Sequence, residues 1–143
     1  IALTLCLSLI LGSCSTAPGG VEVTIRGVVI QVELANTLEK RERGLSGRPS
    51  LDPDRGMLFL FAEPGFPGFW MPDMRFDLDL VWIRDARVVD LSEFVSRREP
   101  QRMHRPREAA DAVLEVLAGT VSRHGWRRGD RVTFDPPELP RPR

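Results

Sequence analysis

The stretch VEVTIRGVVIQVEL, residues 21–34, alternates apolar and polar side chains along almost its whole length. The apolar residues up to Ile25 share one phase, and those from Val28 onward continue the pattern after a slip at Arg26-Gly27. A period of two residues is typical of a strand with one buried face, and a slip at a glycine indicates a turn or bulge. We therefore predict that the domain opens with two short β-strands joined at Gly27.

Further strands are predicted along the rest of the chain. A short apolar run bounded by Gly56 and Pro64 indicates a buried strand, and a later alternating stretch ends at the Arg84-Asp85 turn and has a hairpin partner after it. A last strand follows the turn at Gly129-Asp130. The predicted segments are residues 57–61, 78–82, 87–91 and 131–134.

Two helices are predicted between these strands. Asn36 precedes Glu39 by three positions, which is the spacing of a capping box and predicts a helix over residues 37–45. Apolar residues recur at helical spacing in residues 108–117, which predicts a second helix that stops at Gly119. Because strands and helices do not alternate regularly, we expect an α+β fold, with a mainly antiparallel β-sheet or a small partly closed barrel and two short helices.

The amino-terminal segment has the pattern of a bacterial lipoprotein signal. An apolar run through Leu11 closes on Leu-Gly-Ser-Cys at Cys14, and it is shorter than the roughly 20 residues needed to span a bilayer. We expect export, cleavage before Cys14 and anchoring to the membrane by acyl chains on its sulfur. Ser15 favours the periplasmic face of the outer membrane in a diderm cell. A plain secretory signal and an uncleaved anchor are the alternatives.

Composition and charge limit the classes of function. The predicted organisation is a signal peptide at 1–13, a tether at 14–20, a single domain at 21–135 and a Pro-rich tail at 136–143. Twenty basic residues balance twenty acidic residues, which does not favour nucleic-acid binding. The two cysteines are Cys6 and Cys14, so the mature domain has no thiol for catalysis, a disulfide or a zinc site.

Four stretches occur in a characteristic order. They are RGLSGR at 43–48, GMLF at 56–59, FWM at 69–71 followed by LDL at 78–80, and VLE at 113–115 followed by AG at 118–119. This set resembles the small bacterial and archaeal family called domain of unknown function 192, over about residues 21–134. The resemblance implies a compact β-rich domain with a couple of helices, commonly behind a signal peptide, and implies no activity. Ser46 stands where relatives often have Met, and Pro72-Asp73-Met74 stands where they often have Lys-Asn-Thr.

The candidate site is built around acidic residues among apolar ones. Asp79 lies between apolar neighbours on a predicted strand, and a desolvated carboxylate there needs a partner such as Arg48 or Arg43. We predict that Arg48, Asp79 and Glu115 approach one another beside Trp70. The alternative is an ion pair that only stabilises the fold. The functional interpretation is a small-ligand pocket lined by aromatic and apolar residues; its predicted ligand-binding residues are Arg48, Trp70, Met71, Asp79 and Glu115.

Three kinds of function are consistent with these residues. We favour a non-catalytic small-ligand-binding or accessory module of the cell envelope. A hydrolase of envelope carbohydrate would use Asp79 and Glu115 as paired acids. A structural module would use an exposed aromatic surface around Phe66 and Phe69. No nucleophile motif or phosphate loop occurs, and no cofactor is expected.

Metal binding has little support in the sequence. His104 and His124 lie twenty residues apart and outside any patterned element, so we expect no metal site. The methionines could hold cuprous copper in an oxidising compartment, although methionines in apolar runs more often fill the core.

A basic segment follows the predicted hairpin. Residues 95–107 are rich in arginine and contain two prolines, which predicts a surface loop. Arg97, Arg98, Arg102 and Arg105 could contact an anionic envelope component, and such a contact would weaken with salt. The alternative is a solvated loop without a partner.

Overall fold

The computed structural model describes residues 20–141. The expectations for the signal peptide, Cys14 and most of the tether fall outside the described residues. Within the described part, neither helix combines the length and apolarity that crossing a membrane requires.

The described chain forms seven strands and two short helices. In chain order they are β1 (Val21–Ile25), β2 (Val28–Ala35), α1 (Leu38–Arg43), β3 (Arg55–Gly65), β4 (Leu78–Arg84), β5 (Arg87–Val95), β6 (Ala110–Leu117), α2 (Thr120–His124) and β7 (Val132–Asp135). The strands form one sheet in the order β5-β4-β6-β3-β2-β1-β7. Neighbouring strands are antiparallel except β2 and β3, which are parallel and are connected through α1.

The sheet curls until its two edge strands meet at one corner. Arg87, at the start of β5, forms an isolated bridge with Arg131, immediately before β7. Beside this bridge, the Val88 amide donates to the Asp130 carbonyl over 2.9 Å and the Gly129 amide donates to the Val88 carbonyl over 2.7 Å. The result is a half-barrel, which confirms the predicted α+β class with a partly closed, mainly antiparallel sheet.

The sheet has two apolar faces, each with its own core. The core of the inner face takes residues from all seven strands and from α2, including Val81, Leu114 and Val121. The core of the outer face takes residues from five strands and from the segments after α1 and β3, including Leu45, Phe59 and Met71. The strands at the centre are therefore buried on both sides.

The helix predicted over residues 108–117 is wrong, because this segment forms β6 at the centre of the sheet. All its residues except the last are buried, so apolar side chains fall on both faces and produce helical spacings by coincidence. Val113 and Val116 are β-branched, which suits a strand. Gly119 does not end a helix; it precedes α2 in a left-handed conformation with φ 86°.

The first predicted helix exists but begins and ends differently. α1 covers Leu38–Arg43, and Thr37 is its cap, since the Thr37 side chain accepts a hydrogen bond from the Lys40 amide over 3.3 Å. The predicted capping box at Asn36 is therefore wrong by one residue. The predicted strands are all present, and the segment that begins at residue 57 in the prediction extends over Arg55–Gly65.

Candidate functional site

A cavity of about 290 Å³ opens on the outer face of the sheet. Its walls come from the end of α1, from β3 and from the loop that joins β3 to β4. The side chains that line it are mainly apolar and include Leu45, Phe59, Phe61, Phe69, Trp70, Met71 and Met74. Arg41, Glu42 and Arg43 also contribute to the lining.

The aromatic wall is held in place by specific contacts. Phe69 packs edge-on against Phe59, with ring centroids 4.8 Å apart, and against Trp82, at 5.5 Å. The Phe69 backbone pairs with His104 through hydrogen bonds of 2.9 and 2.7 Å. The Trp82 indole donates to the Ser92 hydroxyl over 3.0 Å. These contacts fix Phe69 from both its side chain and its backbone.

The loop that carries Trp70 and Met71 is tied to the segment after α1. The Ser46 hydroxyl donates to the Pro72 carbonyl over 2.8 Å, and the Gly47 amide donates to the Asp73 carbonyl over 3.0 Å. Met71 is buried in the outer core, whereas Trp70 is 49% exposed. Because the backbone carbonyls at 72 and 73 make these contacts, the loop is held without using the Asp73 side chain.

Glu115 is the buried titratable group of the cavity. It lies on β6 between Met57 of β3 and Leu80 of β4, and it is only 6% exposed. Its Oε2 atom has no hydrogen-bond partner within residues 20–141. Burial raises the pKa of Glu115 to about 8, against the opposing effect of the positive charge of Arg48. The carboxyl group is therefore protonated near neutral pH and can both donate and accept a hydrogen bond.

Arg48 lies close to Glu115 but is bound to another acid. Its guanidinium donates two hydrogen bonds to Glu33, of 2.5 and 2.8 Å, in a bidentate arrangement. The hydrogen bonds from Arg48 lower the pKa of Glu33, and those same bonds raise the pKa of Arg48. Glu33 is in register with Met57, which in turn is in register with Glu115, so the three side chains form a row across the outer face.

Asp79 lies on the opposite face of the sheet. It is fully buried, is in register with Val116, and accepts hydrogen bonds of 2.9 Å from the backbone amides of Phe94 and Val121. Val121 is in the first turn of α2, whose cap residue Gly119 contributes no side-chain hydrogen bond. Asp79 therefore satisfies one donor at the start of α2 and one on β5, which is a structural role.

The predicted approach of Arg48, Asp79 and Glu115 is thus wrong, because Asp79 and Glu115 project from opposite faces. These two acids cannot flank one glycosidic bond, so the hydrolase built on this pair has no geometric basis. The structure does bring Trp70, Met71 and Glu115 to one cavity, and their role in ligand binding stays a prediction.

Sequence reasoning missed several lining residues, including Gly44, Phe59 and Phe61. Phe59 and Phe61 are two positions apart on β3, and that spacing on a strand was the available signal for a shared face. Glycine at 44 gave a less specific signal, because it lies within the helix predicted over residues 37–45.

The basic loop, residues 95–107, is partly engaged in contacts within the molecule. Arg102 pairs with Glu99 over 3.0 Å, and Arg105 donates to the Phe66 carbonyl over 2.6 Å. Arg97 and Arg98 make no ion pair with the residues that the structure describes, and they remain the candidates for an external anion.

Another buried acid stabilises the basic loop. Asp90 accepts hydrogen bonds from the Arg107 guanidinium and amide and from the Leu91 amide. Burial raises the pKa of Asp90, but the hydrogen bonds from Arg107 and Leu91 outweigh it and bring the pKa to about 2.

No group of three or more His, Cys, Asp or Glu side chains in residues 20–141 is arranged to hold a metal ion. Met57 and Met71 are buried in the outer core, while Met103 is exposed. The methionines of the described chain thus do not form one accessible cluster.

Two solved structures resemble this one over most of their length. A protein of Sinorhizobium meliloti named "putative transcription regulator" is 32% identical, with a TM-score of 0.74, over 81% of this chain and 92% of that one. A protein of unknown function from Novosphingobium aromaticivorans is 30% identical, with a TM-score of 0.72, over 79% of this chain and 82% of that one. None of the curated proteins matches the chain significantly.

The family comparison covers the whole folded domain. The profile of DUF192, whose description is "Uncharacterized ACR", matches residues 21–134. This range begins at the first residue of β1 and ends within β7, so the matched segment and the half-barrel coincide. The chain therefore belongs to the DUF192 family.

Proposed function

We propose that this protein is a non-catalytic binding module that takes a small, largely apolar ligand into the cavity of the outer face. The buried Oε2 atom of Glu115, which has no partner within residues 20–141, carries this proposal. A buried polar atom without a partner costs about 1–3 kcal/mol, and a ligand that hydrogen-bonds to it recovers that energy. The Glu115 carboxyl would serve as the polar anchor, and the aromatic wall would contact the rest of the ligand.

The construction of the cavity supports a binding role. Phe69 is held by its neighbours and by His104, and the Trp70 loop is held through Ser46. A volume of about 290 Å³ lies at the small end of the range for ligand sites. A mainly apolar wall with a small number of polar groups is the usual composition of such sites, and Glu115 is the buried polar group here.

The side chains in the cavity favour binding over catalysis. The Ser46 hydroxyl is committed to the Pro72 carbonyl, so it is not paired with a base. Asp79 is not a second carboxyl for Glu115, because it faces the other side of the sheet, and Glu42, the other acid that lines the cavity, is exposed. The residues of this cavity therefore supply an anchor but not a nucleophile with an activating partner.

The binding proposal is tested by a thermal-shift screen of small aromatic and acyl compounds at pH 6.5. We expect hits whose affinity falls at least about tenfold in Glu115→Leu, since the anchor is removed. Phe66→Ala is the control, because Phe66 is exposed and does not line the cavity. Hits that bind Glu115→Leu as well as the native protein, or a screen without hits, would contradict the proposal.

We also propose that the module acts in the cell envelope as a lipoprotein anchored through Cys14, with outer-membrane sorting in a diderm cell. The apolar run that closes on Leu-Gly-Ser-Cys supports this proposal. Labelled palmitate should enter the native protein in growing bacteria and should not enter Cys14→Ser. A native protein that takes up no label would overturn it.

A further inference from the structure

A second depression, of about 590 Å³, adjoins the cavity on the same side of the molecule. We call it the cationic groove, because Lys40, Arg43, Arg48 and Arg55 line it together with a single acid, Glu33. The groove and the cavity share the backbone segment Arg43-Gly44 as a common wall. A ligand that fills the cavity therefore lies within reach of the groove.

The positive charge of the groove is only partly balanced. Arg48 is bound to Glu33, whereas Lys40, Arg43 and Arg55 form no ion pair with the residues that the structure describes. An excess of cations in a concave surface attracts an anion and holds it by charge-assisted hydrogen bonds. The groove is thus complementary to a negatively charged group.

Gly44 places no side chain between the cavity and the cationic groove. Its backbone has φ 52° and ψ −134°, a conformation that favours glycine, and it caps the end of α1. A side chain at this position would begin 3.5 Å from the Phe59 ring and 4.0 Å from Oε2 of Glu115. The absence of a side chain therefore leaves space between the floor of the cavity and the cationic groove.

We infer that the ligand is an amphipathic anion, with an aryl or acyl body in the cavity and a carboxylate, sulfonate or phosphate group in the cationic groove. This inference rests on the proposed binding function. Glu115 and the aromatic wall bind the body, while Lys40, Arg43 and Arg55 bind the charged group. A neutral apolar ligand would use only the first half of this site.

Two dyes that differ in one charged group test the inference. Anilinonaphthalene sulfonate carries an anionic group, and N-phenylnaphthylamine has the same aromatic body without it. We expect both dyes to bind the native protein at pH 6.5, with the sulfonate the tighter of the two. Binding of the sulfonate dye should weaken as the sodium chloride concentration is raised, because salt screens exposed charges. Binding of the neutral dye should not change.

Charge removal makes the test specific. In the double variant K40Q/R55Q we expect the sulfonate to bind about fivefold more weakly and the neutral dye to be unaffected. The matched control is R123Q/R127Q, which removes two exposed arginines on and just after α2, next to the inner core. Glu115→Leu should weaken both dyes, because both use the cavity.

The outcomes separate the two proposals. If both dyes lose affinity in Glu115→Leu but K40Q/R55Q leaves the preference for the sulfonate unchanged, the inference fails and the binding function stands. If neither dye depends on Glu115, the binding function fails as well. A loss of sulfonate binding in R123Q/R127Q equal to that in K40Q/R55Q would overturn the assignment of the anionic group to the groove.

Discussion

Asp79 and Glu115 lie on neighbouring strands of the same sheet, and both are buried, yet their surroundings differ completely. Asp79 faces the inner core and accepts two backbone amides at 2.9 Å, whereas Oε2 of Glu115 faces the outer cavity without a partner in residues 20–141. Both acids are therefore buried, and they differ in whether their oxygen atoms have hydrogen-bond partners. A buried acid that is satisfied stabilises the fold, and the one left unsatisfied beside a cavity is the basis of the proposed ligand site.

Replacing Asp79 is the most severe test of this contrast. Asp79→Ala removes the acceptor of the buried Val121 amide and of the partly buried Phe94 amide, so we expect it to lower the free energy of unfolding by about 4 kcal/mol. Asp79→Asn keeps one acceptor and should cost about half as much. Urea unfolding measures both values, and a loss below about 1 kcal/mol in Asp79→Ala would show that the structural role is wrong.

Replacing Glu115 should stabilise the protein near neutral pH, whereas replacing Asp79 destabilises it. The reason is that the folded-state pKa of Glu115 is raised from 4.5 to about 8. The folded state then keeps a proton that the unfolded state releases, so the contribution of Glu115 to stability is fully present below pH 4.5 and is lost as pH rises toward 8. The slope approaches about 1.4 kcal/mol per pH unit within this window. Glu115→Gln should abolish this slope and be more stable at pH 7 by about 3 kcal/mol.

Urea unfolding at several pH values, with Glu115→Gln beside the native protein, measures this difference. Equal pH profiles for the two proteins would mean that Glu115 is not a buried neutral acid. Ligand binding gives a second check, since ionising Glu115 above pH 8 should weaken an anionic ligand in the native protein only.

A substitution at Gly44 tests whether the space beside Glu115 on the outer face is needed for ligand binding. Gly44→Ala introduces backbone strain at φ 52° and places a methyl group beside Phe59 and Glu115. We expect a loss of stability of about 1–2 kcal/mol and weaker binding of the sulfonate dye. Gly47→Ala is the matched control, because Gly47 also has a positive φ, of 77°, but has open space around it. Equal dye affinity in the two variants would contradict the role of Gly44.

Arg48 provides the smallest and most local test. Arg48→Gln removes a partly exposed ion pair with Glu33, which should cost only about 0.5–1 kcal/mol. It also removes the charge that opposes the rise in the pKa of Glu115, so that pKa should increase further. Carboxyl-carbon chemical shifts in a pH titration measure it, and a decrease would contradict the placement of Arg48 near Glu115.

Much of the fold could be predicted from local patterns. Alternating residues in 21–34 marked strands because one face is more polar than the other, and Asp79 gave 78–82 a similar alternation although both faces of that strand are buried. The motif order pointed to the family. The strand at 110–117 could not be recognised in this way, since a segment buried on both faces carries no period-two signal. That single error placed Glu115 on a helix and hid its relation to Asp79.

The amino-acid sequence by itself determined the strand-rich class, the turns at Gly27 and Gly129, and the presence of buried acids among apolar residues, because these depend on neighbours along the chain. Only the tertiary structure decided which acid is satisfied. Asp79 meets amides 15 and 42 residues away, and the cavity beside Glu115 is made by segments separated by loops. Such contacts arise from sheet register and curvature, which a local pattern does not encode.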